Sequence, residues 1–203
     1  MGDKNQTQDE WEIYLSSWII QDGNYGDFSA GQHAEFALEI FSDDIRLSEC
    51  REKAVILKED SAKGFDLPIY EINGEIIYLN KEVWVVDFGL CAFQESTPPE
   101  GLSRGDFVKG GISLGVDPFF YFERLHALPG MPPLIYSWRI NSIRIQTAPF
   151  IKKGNIFSRD EDKLGYKAIE RTNAWKDDNG SGEYLLTCAR LDIPPKFRSA
   201  TAT

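Results

Sequence analysis

Apolar positions in this chain recur at period two in many short runs, and glycine, proline and Asx-Gly pairs punctuate them. Residues 11–20 (WEIYLSSWII) are aromatic and β-branched and predict a strand. Asp22-Gly23-Asn24 and Gly26-Asp27 close it with a turn. Residues 28–41 fit helical spacing through Phe36, Ala37, Ile40 and Phe41, and strand alternation through Phe36, Leu38 and Ile40. The strand reading is preferred, because of the repeat described below. The charged stretch 42–61 is a short helix, or a loop leading into a strand at 54–57. Residues 67–79 predict a hairpin turning at Asn73-Gly74, since both residue types tolerate positive φ.

The stretch 82–117 organises the prediction. It reads as two apolar strands joined by a polar loop containing Pro98, Pro99 and Gly101. In the second strand Ile112, Leu114 and Val116 alternate, and Gly110-Gly111 marks a bulge or sharp coil of the kind that curls a sheet into a barrel. Asp117-Pro118 ends it, before the aromatic run Phe119 to Phe122. Residues 134–145 form a further strand, 152–165 a charged mobile linker, and 166–191 a terminal hairpin around KDDNGSG.

A degenerate internal repeat supports this division. Trp18-Ile19-Ile20 with Gly23 matches Trp84-Val85-Val86 with Gly89, and Ile69-Tyr70 matches Ile135-Tyr136 at the same offset. The expected architecture is all-β, with two tandem degenerate β units like small OB-type barrels and a C-terminal β-hairpin. The units span residues 11–79 and 80–150, with a loose tail over 1–10 and the charged linker and hairpin over 151–203. Gly105-Asp106, Gly110-Gly111, Asp117-Pro118 and Trp138-Arg139-Ile140 carry the resemblance to an OB-type barrel over about residues 80–147. It is a resemblance of fold pattern.

Composition narrows the function. The chain has 203 residues, 42% of them hydrophobic, enough for one good core or two small ones. A net charge of −10 repels phosphate backbones and anionic lipid, so a nucleic-acid or membrane partner is disfavoured. Three cysteines without paired spacing give neither a disulfide framework nor a zinc site, and the polar N-terminal residues lack a signal-peptide core. A cytoplasmic location is the default expectation.

No residue stands out as catalytic. His33 replaces Phe107 in the repeat and so reads as a packing position. Serines lie in no nucleophile elbow. Asp177, Asn179 and Ser181 alternate as in a calcium loop, but the position of the closing acid is Cys188, so no metal and no cofactor are expected. Three readings remain, and binding ranks above catalysis. The first is a non-catalytic interaction module that grips a protein partner through an acidic face or the loops 94–104 and 127–133. The second is an OB-like binder of single-stranded nucleic acid along Arg104, Lys109, Arg139 and Arg144. The third is a hydrolase-type enzyme combining Asp87, Asp117, Glu123 and His126. The binding surface is expected to draw on Arg104, Asp117, Tyr121, Glu123, His126, Trp138 and Arg139.

Overall fold

The computed structural model describes residues 10–42, 44–58, 67–154, 156–160 and 163–198. The all-β expectation holds: fourteen strands are present among the described residues, and five of them close into a barrel. In chain order the strands are β1 (Trp11–Ser16), β2 (His33–Phe36), β3 (Leu38–Phe41), β4 (Arg46–Ser48), β5 (Ala54–Leu57), β6 (Tyr70–Leu79) and β7 (Trp84–Asp87). They continue as β8 (Cys91–Gln94), β9 (Phe107–Val116), β10 (Tyr136–Gln146), β11 (Phe150–Lys153), β12 (Ile156–Arg159), β13 (Tyr166–Ile169) and β14 (Glu183–Arg190).

The barrel runs β9–β3–β8–β7–β6 and back to β9. It takes β3 and β6 from the stretch 11–79 and β7 to β9 from the stretch 80–150. A second circuit of pairings shares two of its walls. From β9 it passes to β1 at Tyr14–Gly115, then to β14, β10 and β2, and β2 runs on into β3 across Ala37. Phe36 and Ala37 are both buried, one in the main core and one in a smaller cluster under the 119–135 segment. Period-two alternation continues through Phe36, Leu38 and Ile40, but both faces are covered where the strand passes from β10 to β9.

Several elements differ from the sequence reading, each for a local reason. The first strand stops at Ser16, and Ser17–Gln21 forms a single helical turn, α1. Ser17 N–H makes the last bond in register with the partner strand, to Gly182 O at 2.8 Å, and the adjacent Ile19 and Ile20 beyond it are both buried, which a strand could not achieve on one face. Trp18–Ile20 is thus helical while its repeat counterpart begins β7. Asn73-Gly74 is no turn but the middle of β6. A Cβ on Gly74 would lie 2.6 Å from Val86 Cγ1 and 2.9 Å from Asp87 O, so the glycine serves close approach of β7. The apolar run of residues 84–93 is a hairpin, β7 and β8, turning at Gly89 with φ +103°.

The segment 152–165 contributes to a second hairpin, β11–β12, rather than a linker. β13 and β14 do not pair with each other; they flank opposite edges of β10. The charged stretch after Phe41 holds β4 as well as the expected strand at 54–57. The tail 1–9, Asp43, Glu161, Asp162 and the final residues lie outside the described set. No described helix is long and apolar enough to cross a membrane.

Candidate functional site

β3 and β8 run parallel and share a single bridge, Glu39–Phe93. Beyond it the two strands separate, and Gln94 Nε2 spans the gap to Ser42 O at 3.2 Å. The separation leaves an open groove of about 400 Å3, lined by Glu39, Ile40, Phe41, Ser42, Gln94 and Glu95. Alternation along β3 decides what faces it. Leu38 and Ile40 enter the core, so Glu39 and Phe41 point the other way. A Cβ on Gly115 would overlap the Phe41 ring, so this glycine lets the ring lie against β9.

The groove is poor in positive charge. Glu95 Oε1 pairs with Arg124, whereas Glu95 Oε2 and Gln94 Oε1 are buried and accept no hydrogen bond. Burial first, and then the Asp117 and Glu95 carboxylates, lift the Glu39 carboxyl to about 7. Behind Glu39, the fully buried Asp117 caps a π-helical turn, Phe120–Arg124, accepting Tyr121 N–H at 3.2 Å and Phe122 N–H at 2.9 Å. Burial pushes Asp117 up to about 6 even though those N–H groups favour its charged form. The Tyr25 hydroxyl, buried without a partner, is also held neutral by burial and by the Asp117 charge.

Of the residues expected to bind, the structure joins three. Asp117 accepts from Tyr121, and Tyr121 O meets His126 Nδ1 at 3.1 Å. Tyr121 is buried, its hydroxyl donating to Pro132 O at 2.7 Å and accepting from Leu134 N–H at 2.9 Å, so it pins the proline loop. Glu123 is exposed and accepts from Asn24 Nδ2 at 3.0 Å. Trp138 lies in the main core, stacked on Phe36. Arg104 and Arg139 are exposed on other elements, and Arg139 Nε donates to Asn141 Oδ1 at 3.0 Å.

The positively charged stripe and the hydrolase cleft are both thinned by prior engagements. Arg144 pairs with Glu12 and lies over the Tyr166 ring. Asp87 is held by Lys53 at 2.6 Å. His33 is exposed rather than packed. In the calcium-like loop, Asp177 already accepts Asn173 N–H at 2.7 Å and Tyr184 O–H at 3.0 Å, and Asp178 pairs with Arg159. Among the described residues no group of three or more His, Cys, Asp or Glu side chains is placed to hold a metal ion.

Gln94 and Glu95 open the loop 94–104 that the sequence offered as a gripping surface, though neither was named as a site residue, and Glu39 was not singled out. The available signal was a glutamate set within the apolar run of residues 36–41. No protein-family model matches this chain, and neither does any curated protein or solved structure.

Proposed function

We propose that this protein is a non-catalytic interaction module that grips a basic protein partner, with the groove between β3 and β8 receiving a cationic side chain. The observation that carries this reading is the open groove itself, edged by the Glu39 and Glu95 carboxyl groups, with Glu95 Oε2 and Gln94 Oε1 of its lining residues buried without a donor. Carboxyl groups at the edge of an open groove favour a charge-assisted hydrogen bond from an arriving ammonium or guanidinium group. The net charge of −10 adds long-range attraction for a basic surface. The OB-type likeness belongs to the same proposal, with the barrel as a rigid frame for the groove.

The test is a pull-down from lysate split into nuclease-treated and untreated halves, with the parent and with the Glu39→Gln/Glu95→Gln pair. A basic protein retained by the parent and lost by the pair supports the reading. Equal retention by both proteins would exclude the groove, and recovery that vanishes on nuclease treatment would favour the single-strand binder instead.

A further inference from the structure

We infer that Arg124 is an internal occupant of the groove's rim, holding Glu95 in place of the partner's basic side chain until that side chain displaces it. This rests on the proposed reading of the groove as a receptor for a cationic side chain. It assigns the regulation of that site.

The geometry of the rim supports a detachable contact. Arg124 sits at the end of the π-helical turn and pairs with Glu95 Oε1, with Glu82 Oε2 4.0 Å from its Nη1. Its side chain is 50% exposed, and the Glu95 side chain 21%. The turn itself does not depend on the ion pair. Asp117 holds it through Tyr121 and Phe122 N–H, and Glu123 N–H donates to Phe119 O at 2.8 Å. The guanidinium can therefore swing away while the backbone stays put.

Arg124 also leaves the groove incompletely neutralised. It engages one Glu95 oxygen from the rim, while the other oxygen and Gln94 Oε1 remain without donors inside. Glu39 faces Glu95 from the end of β8 and Asp117 from the end of β9, both acidic, and the turn offers it only the cation already paired with Glu95. A guest guanidinium has five donors in a planar fork, so it can take Glu95 Oε1 over from Arg124 and offer a second donor to Glu39 across the groove.

The experiment titrates a capped, fluorescently labelled hexa-arginine peptide into the full chain at fixed ionic strength. Arg124→Gln is expected to bind it about 2- to 5-fold tighter than the parent, the range of a partly exposed ion pair. Arg124→Lys, which keeps the charge, should fall between the two. Lys109→Gln makes the same change in net charge at an exposed position on β9 and controls for bulk attraction. Arg124→Gln binding no tighter than Lys109→Gln overturns the assignment of Arg124, while loss of binding on Glu95→Gln would still uphold the groove. Peptide binding that neither Glu39→Gln nor Glu95→Gln weakens, or no binding by the parent and by Arg124→Gln, overturns the groove reading and this inference with it. Thermal melts of each variant confirm that the fold is retained.

Discussion

Trp138 meets Phe36 twice: the rings stack with centroids 5.5 Å apart, and the indole Nε1–H donates to the Phe36 carbonyl at 3.2 Å. The pair ties β10 to β2 where the latter turns into β3. Trp138→Phe keeps most of the stacking but removes the indole hydrogen bond, at a cost of about 0.5–1.5 kcal/mol. Trp138→Ala adds a cavity and should cost about 3–5 kcal/mol. Urea denaturation of the two variants checks the order: no loss in Trp138→Phe would show that the hydrogen bond contributes nothing, and equal losses that the ring packing adds nothing to it.

The buried carboxyls make stability depend on pH in an unusual direction for an acidic protein. Glu39 and Asp117 titrate at about 7 and about 6 in the native state, above the ordinary values of about 4.3 and 3.9. The native state therefore binds more protons than the unfolded chain between about pH 4 and 7. Their contribution is fully present below about pH 4 and is lost as pH rises through 6 to 7. Glu39→Gln should be more stable than the parent at pH 8, by on the order of 1–3 kcal/mol, and indistinguishable from it at pH 4.5. Parallel stability profiles for the two proteins would refute this.

Two glycines should respond oppositely to alanine. A Cβ on Gly110 would overlap the backbone carbonyl of Asp44, which cannot rotate aside. Gly110→Ala should destabilise by about 1–3 kcal/mol. At Gly26 a Cβ would enter open space, with no atom within 4 Å, and the backbone has no positive φ. Gly26→Ala should therefore be neutral or stabilising by about 0.5 kcal/mol, through the unfolded chain. Melting temperatures decide both cases.

The three cysteines are free and differently placed: Cys50 is exposed, Cys91 half-buried and Cys188 buried. Burial raises the Cys91 thiol to about 11 and raises Cys188 as well. A thiol reagent at pH 8 should modify Cys50 rapidly and the other two only when the protein is unfolded. Mass spectrometry reading two or three rapid adducts on the native protein would contradict the burial.

Strand content was legible because alternation reports one buried face, as in β1 and in Ile112, Leu114 and Val116 of β9. Pairing was less legible, since alternation says nothing about the neighbour. Asn73-Gly74 shows why: the same glycine serves a turn or a close approach, and only the position of Val86 decides. The groove was the least legible part. Glu39 and Glu95 lie far apart in sequence and come near each other through one parallel bridge, whereas the proximity of Asp117, Tyr121 and His126 follows from one local turn.

β1 and β14 are laddered together over their whole shared length, from Trp11–Cys188 to Ser16–Glu183. A ribosome releases β14 long after β1 has emerged. Until then Ile13 and Leu15 have no antiparallel neighbour on that edge, and the emerging chain must carry an apolar strand half-clad. Late closure of this kind predicts slow folding with high contact order, and a nascent chain that depends on chaperones while its edge is open.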